Sequence, residues 1–427
     1  MTEVKIYIQK YIPLVMVALL LCICLGPTIK SIGVGFALFV ILIAPTCRHD
    51  LAFIFSKPIS IAAIGFCTIT LIACAWSIGS HEQQLSMIEK YGKLLFIPIF
   101  AVGFSHKKIR YFGIQAFLIG MFITCMLSLY KYVYPRPVTG VIWDPGQVFY
   151  NHIVTSYMMA TAAYLAAWMG IHIKSRPLKL LYFMAVFLFS FQIIFVNTGR
   201  TGYVIYLILL TLFLLQNFHL KSVRYTILTF VLSLSLVIQQ THHETLSKGV
   251  HMMMTDIHNY QQGHQNSNLG FRLQFHRYAK LLFLEKPLLG QGTGSFIPHF
   301  VQDNPIPEWI NLAPNPHSQY WLIASEFGLL GLFGWGCFLI ILVNMSFRLQ
   351  EMCSISQAIL LPFLVANFSD TFLVTSGIGY LFIAFMGLCL GEFIEMHQQN
   401  PSSALRASPP SRGQARSPHL LKERYSG

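Results

Sequence analysis

Long, continuous apolar runs recur along almost the whole sequence, from Tyr11 to Leu390. They lack the alternation of polar and apolar residues that marks the strands of a membrane barrel. Only 11% of the residues are charged, against about 25% in a soluble domain, so the chain cannot cover a surface that faces water. Inside lipid the backbone polar groups must be satisfied within the chain, and helices achieve this. The expected fold class is therefore an all-α polytopic integral membrane protein, which excludes a soluble enzyme.

Twelve apolar segments divide the chain, which predicts about twelve transmembrane helices. Residues 1–239 would then hold transmembrane helices 1–9, residues 240–318 one large loop, and residues 319–396 helices 10–12. The remaining segment, 397–427, is basic and rich in Pro and Ser, which predicts a disordered cytoplasmic tail. The apolar segments lie at 11–25, 31–46, 58–77, 94–105, 111–130, 152–171, 180–196, 201–217, 225–239, 319–345, 355–369 and 373–391.

The positions of Lys and Arg predict which side of the membrane each loop occupies, because cytoplasmic loops carry an excess of these residues. With the N-terminus in the cytoplasm, 18 of the 29 Lys and Arg residues fall on the cytoplasmic side. Five of the remaining 11 lie in the loop 240–318, whose length weakens the influence of its charges. Membrane orientation thus explains the formal net charge of +13, and we expect no nucleic-acid partner. Residues 131–151, 197–202 and 240–318 are predicted to face outward.

One segment of the large loop has the pattern of an amphipathic helix. Arg272, His276 and Lys280 fall on one stripe, so the segment is predicted to lie along the bilayer surface. The run PLLGQGTGSF at 287–296 follows and is typical of a structural turn, because no Lys-Ser/Thr of a nucleotide-binding loop comes after its glycines. The apolar residues of the helix fall on a second stripe, at positions 271, 275, 278, 279 and 282.

Two arginines are candidates for binding an anion. Arg200 lies in the outward turn Asn-Thr-Gly-Arg-Thr-Gly at 197–202, where glycines allow a ligand to approach and a new helix offers free N–H groups. A guanidinium grips phosphate through two parallel hydrogen bonds, although an arginine that only marks a helix end has the same pattern. Arg272 lies at the start of the amphipathic helix, where binding of lipid headgroups is the simpler explanation for its charge.

His317 is the main candidate for acid–base chemistry. It stands in Asn-Pro-His-Ser-Gln-Tyr-Trp, where the chain re-enters the membrane, and histidine titrates near neutrality. The alternative is a structural histidine that only hydrogen-bonds the loop. His299 is a reserve for the same role, and Asp370 lies where it can orient a histidine or pair with an arginine. No spacing matches a zinc motif, so neither a metal nor another cofactor is expected.

These motifs resemble those of the O-antigen ligase family, within the wider group of polysaccharide polymerases and O-linked oligosaccharyltransferases. His317 and Ser318 precede Gly328 in the His-[Asn/Ser/Gln]-x9-Gly spacing of the ligases, with Ser318 where Asn is common. Arg200 sits in the short outward turn, and Arg272 follows Gly-Phe in the large loop, ahead of the glycine-rich run. The resemblance is topological over about 11–391 and specific over about 195–331.

The resemblance implies a membrane glycosyltransferase of the bacterial inner membrane, with its active site on the periplasmic face. Such an enzyme transfers an O-polysaccharide from undecaprenyl diphosphate to a sugar hydroxyl of lipid A-core, without nucleotide sugar, ATP or metal. The implied partners are the lipid-linked O-antigen, lipid A-core and membrane lipids. By position in the family pattern, His317 is the general base, and Arg200 and Arg272 bind the donor diphosphate. Asp370 matches more loosely, as a supporting residue.

Two other functions fit parts of the sequence. A polymerase that joins repeat units on the same lipid carrier has almost the same chemistry, and Ser318 leaves this alternative open. A polysaccharide transporter is less well supported, because transporters place paired charges in the middle of their spans and often consist of repeated halves. In this sequence the charges with a functional pattern lie in the outward loops, and we find no internal repeat.

Overall fold

The computed structural model describes residues 2–135, 143–217, 267–306 and 315–399, together with positions 255, 258 and 262. Every regular element of these residues is a helix and none is a strand, which confirms the all-α prediction. The helices are α1 (Thr2–Cys24), α2 (Pro27–Ile43), α3 (Arg48–Phe55), α4 (Pro58–Ile72), α5 (His81–Gly92), α6 (Phe96–Gly103), α7 (Lys107–Val133), α8 (His152–His172), α9 (Arg176–Phe191), α10 (Arg200–Asn217), α11 (Asn268–Glu285), α12 (Phe296–Asp303), α13 (Gln319–Arg348), α14 (Cys353–Ala366) and α15 (Ser376–Gln399).

Eleven of the twelve predicted apolar segments coincide with helices, and the twelfth, 225–239, lies outside the described residues. Among the described helices, five are long and apolar enough to cross a membrane. A sixth span results if Pro27–Ile43 and Pro45–Phe55, which meet at 77°, count as one bent span. A helical membrane protein is therefore supported. The count of twelve spans stays a prediction, as do the loop and tail boundaries.

Local sequence explains several helix starts. Proline occupies the first position of α2 and of α4, where its missing N–H has no role in the helix. α5 begins with a capping box, in which Ser80 and Gln83 each accept the other's backbone N–H through their side chains. The Asn151 side chain caps α8 by accepting the Val154 N–H at 2.9 Å.

The centre of the bundle is α8. Every residue from Val154 to Gly170 is buried, and α7, α9 and α10 all pack against it. Its sequence is rich in the small residues Ala, Ser and Thr, so neighbouring helices can approach closely. α15 is the second central helix and packs against α6. The N-terminal end of α8 is therefore surrounded by other helices, which matters for the site below.

The end of the bundle where α7 begins and α15 finishes is held by two ion pairs, one of which has a buried arginine. Arg110 is fully buried and pairs with Glu395, and Lys107 pairs with Glu351. Glu392 accepts three successive backbone N–H groups in the connection between α13 and α14, at 2.8–3.2 Å. Each of these charged side chains has a partner, and the buried Arg110 needs one because an unpaired buried charge is strongly destabilising. Lys107 and Arg110 are among the 18 basic residues that the orientation with a cytoplasmic N-terminus places in the cytoplasm.

The other end gathers the described parts of the segments that were predicted to face outward, and we call it the site end. The Ser77 hydroxyl donates to the Thr293 carbonyl at 2.7 Å, which joins the segment before α5 to the glycine-rich run. The Gln319 side chain donates to the Tyr91 hydroxyl at 3.1 Å, which joins α13 to α5. The site end comprises the start of α2, α5 with Lys93, residues 143–151 and 197–199, α11, α12, and residues 315–318 and 367–376.

α11 is the amphipathic helix that the sequence predicts, but its apolar stripe has a different environment from the one expected. The predicted apolar stripe, including Phe271, Phe275 and Leu282, is buried, but it packs against α12 and α13 rather than lying on the bilayer. The helix also begins earlier than expected, at Asn268, so Arg272 lies in its second turn. The helix dipole acts mainly within the first turn, so it gives Arg272 little support in binding an anion.

The glycine-rich run forms a turn that docks onto a break in α13. Gly328 has φ 61° and ψ −153° inside that helix, which frees backbone groups for pairing. The Leu329 N–H donates to the Pro287 carbonyl at 2.8 Å, and the Gly292 N–H donates to the Glu326 carbonyl at 2.8 Å. The final glycine of the His-x10-Gly spacing therefore has a structural role: it lets the large loop pack against the helix that follows His317.

Replacing Gly328 with alanine should destabilise this junction. An added Cβ would lie 2.6 Å from the Leu288 carbonyl group, and the backbone angles suit only glycine, so we expect a loss of roughly 2 kcal/mol or more. Gly336→Ala on the same helix is the matched control, because a Cβ there has no neighbour within 4 Å. Thermal unfolding of the purified proteins measures both. Equal melting temperatures for the two variants would contradict this role.

Candidate active site

His317 and Asp370 face each other at the site end. His317 Nδ1 lies 3.5 Å from Asp370 Oδ1, which is too long for a well-formed hydrogen bond but close enough to orient the ring. Nδ1 is buried, whereas 34% of the whole side chain is exposed. Nε2, on the opposite side of the ring, makes no hydrogen bond with another described residue. This arrangement leaves Nε2 available to accept a proton.

The backbone of His317 is fixed from both sides. Its φ of 48° lies in the left-handed region, which histidine adopts more readily than most residues. The His317 N–H donates to Asn315 Oδ1 at 3.0 Å, and Asn315 in turn donates to the Thr371 hydroxyl at 2.7 Å. The His317 carbonyl lies 3.1 Å from His276 Nε2. The imidazole is therefore held against the segment that carries Asp370.

Ser318 acts as the cap of α13. Its hydroxyl accepts the Trp321 N–H at 3.4 Å and donates to the Asn367 carbonyl at 3.3 Å, and the side chain is buried. The Gln319 N–H also donates to the Asn367 carbonyl, at 2.9 Å. Serine and asparagine are both good helix caps, so the departure from the common Asn at this position preserves its structural role.

Arg272 lies near the histidine–aspartate pair. Its charge acts on both Asp370 and His276, and it makes no ion pair with another described residue. Burial alone would raise the pKa of Asp370, but the neighbouring His317, the Thr371 N–H and Arg272 together hold it below its ordinary value. Burial, with His317 and Arg272 nearby, lowers the pKa of His276. The electrostatic potential around Asp370 and His276 is therefore positive.

The turn that precedes Arg200 is packed against the start of α8. The Gly199 N–H donates to Asn197 Oδ1 at 2.7 Å, and a Cβ at Gly199 would lie 3.0 Å from the His152 carbonyl. The Thr198 hydroxyl reaches Asp144 Oδ2 at 3.4 Å, and the same oxygen lies 2.8 Å from His152 Nδ1. Arg200 is the first residue of α10, and its side chain lies outside the described part of the chain.

Aromatic residues connect α8, against which the turn before Arg200 packs, to the segment just after Asp370. The Tyr157 and Phe372 rings lie 5.7 Å apart, which joins α8 to the segment just after Asp370. Tyr150 packs at 3.2 Å from the position of a Cβ at Gly377, and its hydroxyl donates to the Ile23 carbonyl at 3.0 Å. The start of α8 therefore separates the Arg200 turn from the His317–Asp370 pair, and both lie at the site end.

His299, the reserve candidate, lies apart from this cluster on α12. Its Nε2 is buried without a hydrogen-bond partner among the described residues, and burial lowers its pKa. No described carboxylate lies within 4 Å to orient it, so the geometry favours His317. The described residues also contain no group of three His, Cys, Asp or Glu side chains that could hold a metal ion.

The sequence analysis missed two lysines at the site end. Lys30 in α2 and Lys93 after α5 are each only 2% exposed. The sequence contains a signal for both, because each stands at the edge of an apolar segment, where a charge is costly. The proximity of the two side chains could not be predicted from the sequence, since Lys30 and Lys93 lie far apart in the chain.

Together, the fold and the site define a helical membrane protein in which a histidine, a carboxylate and an arginine without an ion-pair partner among the described residues gather at one end of the bundle. The O-antigen ligase family model matches residues 153–336, which confirms the resemblance over this range. The matched range includes Arg200, Arg272 and His317, whereas Asp370 lies beyond it. A comparison with curated proteins gave no significant match.

Proposed function

We propose that the protein is an O-antigen ligase, which transfers O-polysaccharide from undecaprenyl diphosphate to lipid A-core on the periplasmic face of the inner membrane. The observation that carries the proposal is the His317–Asp370 pair, with Arg272 beside it, in a chain with an O-antigen ligase domain. The family alone supports a membrane enzyme of O-antigen processing. The donor, the acceptor and the side of the membrane are our inference.

In the proposed reaction, a sugar hydroxyl of lipid A-core attacks the anomeric carbon of the lipid-linked glycan. A C–O bond forms to the acceptor, and the C–O bond to the diphosphate breaks, so the lipid diphosphate leaves with the electron pair. His317 Nε2 takes the hydroxyl proton, and Asp370 stabilises the resulting imidazolium. Direct attack inverts the anomeric centre and needs no covalent sugar–enzyme intermediate.

Arg272 and Arg200 would stabilise the charge that develops on the leaving diphosphate. A guanidinium matches phosphate oxygens through two parallel hydrogen bonds, and preorganised cations are most effective where water is excluded. Arg272 is free of a described ion-pair partner, so it can take up a substrate anion. Because the donor is already activated and arginines supply the positive charge, the reaction requires neither ATP nor a metal ion.

Contact with membrane lipids would come from the outer surface of α11 and the turn that follows it. Leu281, Leu284 and Leu288 are more than half exposed there, in contrast to the buried stripe of the same helix. Arg277 and Lys280 are exposed beside them. A surface with exposed leucines next to basic side chains fits the boundary between acyl chains and headgroups. The site end would then lie at the membrane surface, where the diphosphate of a lipid carrier is found.

Replacing Arg272 with alanine should weaken use of the lipid-diphosphate donor by about tenfold to a hundredfold, because a charge-assisted contact is lost. The dependence of rate on acceptor concentration should change little. Steady-state kinetics with donor and acceptor varied separately measure this. Arg277→Ala is the matched control, since that side chain is exposed on the same helix. Unchanged donor kinetics in Arg272→Ala would leave Arg272 as a structural or headgroup-binding residue.

The ligase and polymerase functions are separated by the lipopolysaccharide of a deletion strain. Loss of a ligase leaves lipid A-core without any O-antigen, while lipid-linked polymer accumulates. Loss of a polymerase leaves single repeat units on the core. We expect the first pattern. The second would assign the chain to the polymerases, which use the same chemistry with a different acceptor.

A further inference from the structure

Two buried lysines meet at the site end. Lys30, in the first turn of α2, and Lys93, directly after α5, are each 2% exposed. Both ammonium groups face one ring: Lys30 Nζ lies 4.3 Å and Lys93 Nζ 5.1 Å from the centroid of Tyr380. Lys30 also donates to the hydroxyl of Ser376 at the start of α15. Three segments far apart in sequence thus bring two cations to one point.

No described carboxylate neutralises this pair. Neither lysine forms an ion pair with another described residue, and Glu89, whose charge acts on both, is exposed. The N-terminal ends of α2 and α15 add partial positive charge, because Lys30 and Ser376 lie in their first turns. Two neighbouring cations removed from water destabilise a protein unless an anion joins them. In agreement, burial and the neighbouring Lys30 and Lys90 lower the pKa of Lys93 to about 7.

The lysine pair lies next to the candidate active site. Ser376 and Tyr380 follow Asp370 on the same stretch of chain. Lys93 follows Tyr91, whose hydroxyl accepts a hydrogen bond from Gln319, two residues after His317. The lysines and the His317–Asp370 pair therefore flank the segment 371–376.

We propose that Lys30, Lys93 and Ser376 form a buried binding site for a phosphate group of the lipid-linked donor. The identity of the donor rests on the proposed function, whereas the anion site rests on the contacts of these residues. Phosphate oxygens accept hydrogen bonds from both ammonium groups and from the Ser376 hydroxyl, and their charge compensates the two cations. A diphosphate has two phosphate groups, so the arginines and the lysines can each bind one.

The test measures binding of farnesyl diphosphate, a short analogue of the lipid carrier, to the full-length protein in detergent by calorimetry. Lys30→Met and Lys93→Met should each weaken binding by about tenfold to a hundredfold. Lys286→Met is the matched control, because Lys286 is exposed at the same end of the bundle, and it should bind as the unaltered protein does. Equal affinity in all four proteins would overturn the site.

Thermal unfolding separates an anion site from a structural role of the lysines. Without ligand, Lys93→Met should melt at the same or a higher temperature than the unaltered protein, because an uncompensated buried charge is removed. Farnesyl diphosphate should raise the melting temperature of the unaltered protein by more than that of Lys93→Met. A Lys93→Met protein that is less stable without ligand, or that fails to fold, would show that Lys93 is structural and overturn the site.

Two further comparisons separate the source of the phosphate from the function. Lipid A also carries phosphate, so the same variants are tested against it. If they lose affinity for lipid A and keep it for farnesyl diphosphate, the assignment to the donor is wrong. If the lysines are required for farnesyl diphosphate but the purified protein transfers no glycan, the site stands and the proposed function fails.

Discussion

Replacing His317 with glutamine is expected to lower the rate of glycan transfer by about 10²–10⁴-fold, the usual contribution of a positioned general base. Glutamine keeps a hydrogen-bonding side chain but cannot accept the proton of the acceptor hydroxyl. Binding of the lipid-linked donor should persist, because the proposed anion contacts lie on other residues. Single-turnover transfer and donor binding, measured on the same purified protein, check the two parts of this expectation.

Two controls make the result specific. His317 has a φ of 48°, which asparagine adopts more readily than glutamine, so His317→Asn should lose activity to the same degree without backbone strain. His299→Gln should remain active, because His299 has no orienting carboxylate among the described residues. Near-native transfer by His317→Gln would remove His317 as the base and bring His299 or Asp370 forward.

The rate of transfer should depend on pH, because the proposed general base is His317. Activity of the unaltered protein is expected to fall on acidification, when assayed from about pH 8 to pH 5, because a protonated imidazole cannot act as a base. The pKa of Asp370 is held below its ordinary value, so this carboxylate stays ionised throughout that range. A rate that is independent of pH over this interval would argue against a histidine base.

Replacing Arg200 with lysine should lower transfer by about tenfold to a thousandfold, although the positive charge is kept. Lysine is a point charge and cannot form the two parallel hydrogen bonds of a guanidinium to a diphosphate. The turn before Arg200 is packed so closely against α8 that its backbone cannot shift easily to compensate. Transfer rates at saturating acceptor, with membrane insertion confirmed by fractionation, provide the measurement.

Arg277→Lys is the matched control for this change, because Arg277 is exposed on α11 and its charge is kept in the same way. It should transfer glycan at the native rate. Full activity of Arg200→Lys would show that the guanidinium fork is not used. Arg200 would then mark only the start of α10, the alternative that its position also allows.

Much of this architecture follows from local sequence patterns. Continuous apolar runs predicted the helices, because hydropathy over a span depends only on neighbouring residues. The apolar stripe of α11 was also predictable from its spacing, from Phe271 to Leu282. Its partner was not, because a stripe that packs on protein has the same spacing as one that lies on lipid. The structure shows that α12 and α13 cover it.

The parts of the site that join distant segments could not be predicted in this way. A motif identified His317, but its approach to Asp370 requires the turn after α14 to fold back onto the start of α13. Lys30 and Lys93 meet on Tyr380 only because α2, α15 and the segment after α5 converge. Such contacts depend on the packing of the whole bundle, which no local pattern encodes.

The central claim is tested most directly by transfer with purified components. The protein, undecaprenyl-diphosphate-linked glycan and lipid A-core are combined in detergent with EDTA and without ATP, and the products are separated by size. We predict that glycan appears on lipid A-core with an inverted anomeric linkage. Glycan that is extended on the lipid carrier while lipid A-core stays unmodified, or transfer that requires ATP or a metal ion, would contradict the account.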